Sequence, residues 1–386
     1  MNFNPTPEQQ ALKDSVHRFC EREYGFEARN AILRGPDGYS KTHWATFAEL
    51  GWLGAGLPES KGGYGGGAVE NALILEEMGR TLVLEPFLPC AIGAGQLLAT
   101  LPQSEAASAL LAAIVGGEAI AVLAHFEPGD RGDDMHIAST AEKNGNGWRL
   151  NGKKCFVLGA PAADIFLVSA RTSASASGRE GMSLFRVPLD AKGFIRTDYR
   201  AVDGRRVSDL TLDGCEVDAA ALLGPEGGAM DIIELALDHL IVGLCAEGLG
   251  AMDAALWLTR DYLKTRKQFG VTLNTFQALQ HRMADMLVET ELARSMLFRA
   301  LGALTAGDPA ERRMTVSAAK AQIGEAGYFV GAQAVQLHGG IGVTDEYIAG
   351  HYFKRLTLVR NLFGVSDTHL ARFARRSRMT VEEPWR

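Results

Sequence analysis

Two short segments combine residue types that could grip a charged ligand. The first is Tyr262-Leu263-Lys264-Thr265-Arg266-Lys267-Gln268-Phe269-Gly270, followed by Phe276-Gln277-Ala278-Leu279-Gln280. The second is Gln336-Leu337-His338-Gly339-Gly340-Ile341-Gly342, followed by Glu346-Tyr347. Arginine offers a planar, permanently charged fork that matches phosphate or carboxylate oxygens. Paired glycines let a backbone approach a ligand closely. Taken alone, each segment reads as a helix end: basic residues with a Phe-Gly stop, and a glycine pair closing a helix.

Other chemistries find little support. The glycine runs at 62–67, 93–98 and 338–342 lack the GxGxxG spacing between a strand and a helix that a Rossmann unit needs. They read as turn glycines or helix caps. HExxH, GxSxG and the P-loop pattern do not occur. The five cysteines, at 20, 90, 155, 215 and 245, form no CxxC or zinc spacing. Their odd number points to a reducing compartment. With 39 basic and 46 acidic residues the net charge is −7, and no basic run suggests nucleic acid.

The elements that must position these groups follow from proline placement and hydrophobic period. Between residues 226 and 383 the sole proline is Pro309, so this stretch can be helical throughout. Four long helices fit, at 228–266, 276–306, 310–338 and 345–375. In the second, Leu279, Met283, Met286, Leu287, Thr290, Ala293 and Leu297 share a face. Long helices with short connections pack as an antiparallel bundle. Shorter helices fill the first third. Thr6-Pro7-Glu8-Gln9 makes a capping box, Ser40 caps a helix that stops at Gly51, another carries Val69 to Met78, and a last one runs from Ser104 to Gly116. Residues 86–104 are uncharged, but Pro86, Pro89, Pro102, Gln96 and Gln103 favour a buried helix over a membrane span.

Residues 118–225 break into β-rich runs such as GWRLNGKKCFVL, DIFLVSA and RVSDLTL. No helical pattern separates them, so they should pair antiparallel as a sandwich or barrel. TSASASG at 172–178 reads as a hairpin tip. The expected fold class is α+β: an N-terminal helical domain (1–117), a middle antiparallel β domain (118–225) and a C-terminal four-helix bundle (226–386). The N-terminus has no basic n-region with an apolar h-region, so a cytoplasmic protein is expected.

In this order and layout the two segments resemble the acyl-CoA dehydrogenase family. Arg266, Phe269 and Gly270 match its Arg-x-x-Phe-Gly pattern, and Gln336, Gly339 and Gly340 its Gln-x-x-Gly-Gly pattern. Pro58-Glu59 with Gly62-Gly63-Tyr64-Gly65-Gly66, Glu127-Pro128-Gly129 and Asn151-Gly152-Lys153-Lys154 echo further family signatures. The resemblance covers essentially the whole chain. It implies the cofactor FAD, an acyl-CoA substrate, an acceptor of the electron-transfer flavoprotein type, and oligomerisation through the bundle.

The resemblance also implies a catalytic carboxylate, and the usual positions lack one. They are occupied by Phe363 and by Leu240, with Ile241 where an arginine usually follows. Glu247 and Asp238 are the substitutes to consider, with Glu346 and Asp367 behind them; the plainer readings are a buried interhelical hydrogen bond for Glu247 and surface groups or salt-bridge partners for Glu346 and Asp367. Asp238 matches an aspartate that contacts the CoA chain, and it lies about 200° round the helix from residue 240. Two threonines and a tryptophan that contact the flavin ring become Phe126, Leu158 and Phe156. The residues that a neighbouring subunit lends to the pyrophosphate and adenosine half are kept: Arg266, Gln268, Phe269, Gln277, Gln336, Gly339 and Gly340. This asymmetry implies the small subunit of a heteromer with a larger acyl-CoA dehydrogenase subunit. The alternatives are a homo-oligomer with a relocated base, and a non-catalytic assembly partner of another flavoprotein.

Overall fold

The computed structural model describes residues 4–102, 104–129, 136–173, 178–305 and 307–382, with side chains up to residue 375. Helix α1 (Pro7–Glu23) begins at the expected capping box. Gln9 N–H donates to Thr6 Oγ1 at 3.2 Å, and Thr6 N–H donates to Gln9 Oε1 at 2.9 Å. Helix α2 (Phe26–Arg34) has no counterpart among the expected helices. Helix α3 (Lys41–Glu49) is capped by Ser40, and the chain leaves it through Gly51 at φ 74°. Helix α4 (Ala68–Thr81) follows. The uncharged stretch forms a π-helical turn (Leu88–Ala94) that runs into α5 (Gly95–Thr100), almost wholly buried. Helix α6 (Glu105–Val115) starts at Ser104, whose Oγ accepts from Ala107 N–H. Among the described residues no helix is long and apolar enough to cross a membrane.

The middle of the chain forms strands β1 (Ala121–Ala124), β2 (Thr140–Asn144), β3 (Gly147–Leu158), β4 (Ile165–Arg171), β5 (Met182–Pro188), β6 (Phe194–Arg200), β7 (Arg206–Asp218) and β8 (Leu222–Leu223). They make one sheet in the order β6-β7-β3-β2-β4-β5-β8, with β1 beside β4. Pairing is antiparallel except along β1–β4 and at a single β2–β4 contact. The parallel pair arises because β2 and β3 pair with each other as a hairpin, which leaves the edge of β4 to β1. Residues 174–177 of the expected hairpin tip lie outside the described residues. Phe166 packs on Phe194 at 4.7 Å, and Trp148 meets Phe185 edge-on at 5.2 Å.

Helices then return: α7 (Met230–Thr265), a hairpin of β9 (Lys267–Gln268) and β10 (Val271–Thr272), α8 (Gln277–Thr305), α9 (Pro309–His338), α10 (Ile348–Asn361) and α11 (Ser366–Glu382). Met286, Thr290, Ala293 and Leu297 of α8 are buried as their spacing predicts, whereas Leu287 is exposed. The fourth long helix, expected over 345–375, is broken in two. Phe363 and Gly364 take φ 58° and 108°, outside helical values. Carbonyls freed at a helix end need donors, and buried side chains provide them here. Lys320 Nζ donates to Arg360 O (3.0 Å) and Gly364 O (3.1 Å), and His369 Nε2 donates to Phe363 O (3.1 Å). Burial brings the Lys320 pKa down to about 8. Burial, with Lys320 and Arg372 nearby, brings His369 down to about 3.

The chain divides into two compact units. One comprises Met1–Asn30, Ala72–Val83 and Ile241–Arg386, the other Ala31–Asn71 and Leu84–Leu240. Within the first, backbones touch where glycine leaves room. A Cβ on Gly250 would lie 1.9 Å from the Glu76 carbonyl oxygen, and one on Gly79 would lie 2.1 Å from that of Glu247. Within the second, the sheet is the core: β4 is buried along nearly its whole length.

Candidate functional site

The two segments singled out by residue type lie together in the first unit. As α7 ends, Arg266 N–H donates to Tyr262 O at 2.8 Å, and Leu273 N–H donates to Arg266 O at 2.9 Å. The β9–β10 hairpin turns on Phe269 and Gly270, at φ 55° and 83°. Two-residue turns with positive φ at both positions favour Asn-Gly. A phenylalanine in the left-handed region is strained, and its ring is 89% exposed. A bulky apolar side chain held in solvent at a backbone cost is a candidate contact residue. Arg266, Gln268 and Gln277 are exposed as well, and Gln268 Nε2 donates to Lys267 O. Among the described residues the Arg266 guanidinium has no carboxylate partner.

The second segment closes α9. Gly339 takes φ 65° and ψ −140°, a conformation open to glycine. A Cβ on Gly339 or Gly340 would meet nothing within 4 Å, so the open backbone there can receive a ligand. Gln336 is exposed on the last turn. Tyr262 O–H donates to His338 O at 3.3 Å, and the two rings lie 4.4 Å apart. His338 Nδ1–H donates to Ala334 O at 2.7 Å, and Tyr347 approaches the imidazole at 5.1 Å. Burial lowers the His338 pKa, against the opposing pull of that hydrogen bond. Tyr262, His338 and Tyr347 all fall within the two segments, but their role in joining them is not legible there, because no local spacing signals a contact spanning 76 residues. An exposed arginine and an open glycine turn, on segments joined through Tyr262 and His338, fit the pyrophosphate half of FAD.

The carboxylate positions are distributed differently. Leu240 and Ile241 are buried. Leu240 presses on the π-helical turn: a Cβ on Gly93 would sit 3.0 Å from Leu240 Cδ2. Asp238 is buried in the same unit as Leu240. Glu247, in the other unit, is buried in a two-pronged pair with Arg355, from Nε at 3.0 Å and Nη2 at 2.6 Å. Phe363 sits at the break between α10 and α11. Glu346 and Asp367 are exposed.

Phe126, Phe156 and Leu158 belong to the second unit. The β3–β7 register jumps between Lys154↔Leu210 and Val157↔Ser208, which creates a bulge. Phe156 sits in it at φ 50°, its N–H donating to Asp209 Oδ1 at 2.9 Å. Tyr199 O–H donates to the same oxygen at 2.8 Å. Cys155 N–H donates to Phe126 O at 3.0 Å, which sets the segments of Phe126 and Phe156 side by side. Buried beneath them, Lys154 Nζ donates to Glu127 Oε1 (2.7 Å), His125 O (3.0 Å) and Ser169 Oγ (3.2 Å). Glu127 also accepts from Ser139 and from Ala138 N–H. Burial pushes the Glu127 pKa up, but Lys154 and these donors outweigh it, and the carboxyl stays below its ordinary value. The wall is firmly built, yet its three side chains bear no hydrogen-bond donor and the Phe156 N–H is already taken. These positions do not fit a flavin ring held by side-chain hydrogen bonds.

Comparison with known proteins agrees with this layout. Residues 6–118 match the acyl-CoA dehydrogenase N-terminal domain, 123–215 the middle domain and 227–377 the C-terminal domain. Acyl-CoA dehydrogenase FadE12 of Mycobacterium tuberculosis is 33% identical over 352 residues, covering 90% of this chain and 89% of that protein. A chain of the ChsE4-ChsE5 complex from Mycobacterium tuberculosis superposes with a TM-score of 0.89 at 26% identity, over 98% of this chain and 99% of that one. A chain of the Tcur3481-Tcur3483 steroid acyl-CoA dehydrogenase variant does so with 0.88 at 30% identity, over 97% and 99%. The chain belongs to the acyl-CoA dehydrogenase family, the FAD-dependent oxidoreductases that act on acyl-CoA thioesters.

Proposed function

We propose that this chain is the smaller subunit of a heteromeric acyl-CoA dehydrogenase, whose larger partner supplies the catalytic base and the flavin-ring pocket. The reaction is α,β-dehydrogenation of an acyl-CoA thioester, with electrons passed to an acceptor of the electron-transfer flavoprotein type. One observation carries the reading. The dinucleotide-binding set is complete and exposed, while Leu240 and Phe363 hold the base positions and Phe126, Phe156 and Leu158 the ring positions. The existence of complexes such as ChsE4-ChsE5 among the structural neighbours supports a two-chain enzyme.

Bound FAD supplies the acceptor for the β-hydride. This chain's part is to bind and orient. Arg266 would pair with the pyrophosphate, Gln277 and Gln336 would donate to the dinucleotide half, Phe269 would pack on it, and Gly339 and Gly340 would bring the backbone close. Asp238, on α7, would meet the CoA chain. Phrases such as DYLKTRKQFGV, FQALQHR and GHYFKRLT resemble the small subunit of pimeloyl-CoA dehydrogenase. Dicarboxylyl, fatty and steroid side-chain thioesters are the substrate candidates. The self-sufficient homo-oligomer would need Glu247 or Asp238 as its base, and Glu247 is already committed to Arg355.

Arg266→Ala tests the dinucleotide assignment in the assembled complex. Loss of a charged hydrogen-bond partner costs about 1.5–3 kcal/mol, so FAD should bind roughly ten- to 150-fold more weakly. Flavin absorbance after gel filtration reads the loss. Full occupancy in the variant would remove Arg266 from the site.

A further inference from the structure

Two FAD-binding segments 70 residues apart in sequence (266 and 336) can serve one ligand if something fixes their separation. The Arg266–Gly270 segment follows the last turn of α7, and the Gln336–Gly340 segment ends α9. We propose that Tyr262 and His338 are positioning residues that lock these segments together, and so set the grip on the pyrophosphate and adenosine half of FAD. The proposal rests on the assignment above that these segments hold that half.

The geometry supports it at each joint. Tyr262 lies one helical turn before Arg266, and its carbonyl accepts the Arg266 N–H at 2.8 Å. Its hydroxyl donates at 3.3 Å to the carbonyl of His338, the residue next to Gly339. The rings lie 4.4 Å apart at 33°. His338 is buried, and its Nδ1–H is fixed on Ala334 O at 2.7 Å. Tyr347 closes the other approach at 5.1 Å. Movement of either motif therefore drags on the other. His338 is buried, and its Nε2 has no hydrogen-bond partner among the described residues, while Tyr262 is half-buried.

The test compares FAD with FMN, which lacks the adenosine half, on Tyr262→Phe and His338→Phe. It uses whichever assembly retains flavin, this chain with its partner or this chain alone. Tyr262→Phe keeps the stacked ring and removes one neutral hydrogen bond, worth about 0.5–1.5 kcal/mol, or roughly two- to 13-fold in affinity. FAD binding should weaken by about that factor with FMN binding unchanged, so the FAD-to-FMN preference falls. His338→Phe should lower it further. An unchanged preference, with neither flavin affected or both affected equally, would overturn the positioning role. That outcome is separate from the heteromer reading, which depends on which assembly binds and turns over, not on this ratio. Thermal denaturation of both variants identifies any that fails to fold, and Tyr262→Phe then decides alone.

Discussion

Freed of any partner and supplied with FAD, this chain should oxidise acyl-CoA at least about 10²-fold more slowly than the complete enzyme. A positioned general base contributes about 10²–10⁴-fold, and neither Leu240 nor Phe363 can accept a proton. Neither Asp238 nor Glu247 is an easy replacement. Asp238 lies about 200° round α7 from residue 240. The carboxylate of Glu247 is held at both oxygens by Arg355. Adding the larger subunit should restore turnover, with one active site per pair of unlike chains. Dye-coupled acyl-CoA oxidation measures both arms. Activity of the chain alone that vanishes in Glu247→Gln or Asp238→Asn would establish a relocated base instead.

The second large effect concerns the same glutamate. Arg355→Met should destabilise the fold by about 3–5 kcal/mol, because it removes the buried guanidinium that holds both oxygens of the buried Glu247 carboxylate. This is a substantial share of the about 5–15 kcal/mol that holds a typical domain together. Replacing both partners, Glu247→Leu with Arg355→Met, should recover most of the loss, since apolar groups of similar size need no partner. Denaturant titration of the single and double variants reads the difference. An Arg355→Met protein as stable as the wild type would mean that Glu247 is not held as a structural ion pair, and would reopen it as a proton acceptor.

Local chemistry is legible in the sequence, and long-range chemistry is not. The Thr6–Gln9 capping box and the Ser40 and Ser104 caps are decided within four residues, and each forms as its residue types dictate. The stretch after Pro225, where Pro309 at the start of α9 is the sole proline before residue 384, yields the long helices. The break at Phe363 carries one local signal, the glycine at 364, but phenylalanine itself rarely enters the left-handed region. What holds it there is Lys320, 44 residues from Gly364 in sequence, together with His369. The parallel β1–β4 pair is likewise a matter of which edge the β2–β3 hairpin leaves open. At the site, motif spacing identifies Arg266, Phe269 and Gly339. Residue identity shows that positions 126, 156 and 158 carry no polar side chain. That the Phe156 N–H is spent on Asp209, and that Tyr262 joins the two motifs through His338, depends on contacts no spacing rule encodes.

The central claim is that this chain completes another chain's flavin site and cannot hold a flavin ring alone. Counting the flavin bound per chain tests it most directly, for the purified protein alone and after co-expression with a larger acyl-CoA dehydrogenase subunit. The expected result is a colourless chain alone and a yellow complex with one FAD per pair of unlike chains. A chain that purifies yellow without a partner, with one FAD per copy and turnover to match, would contradict it.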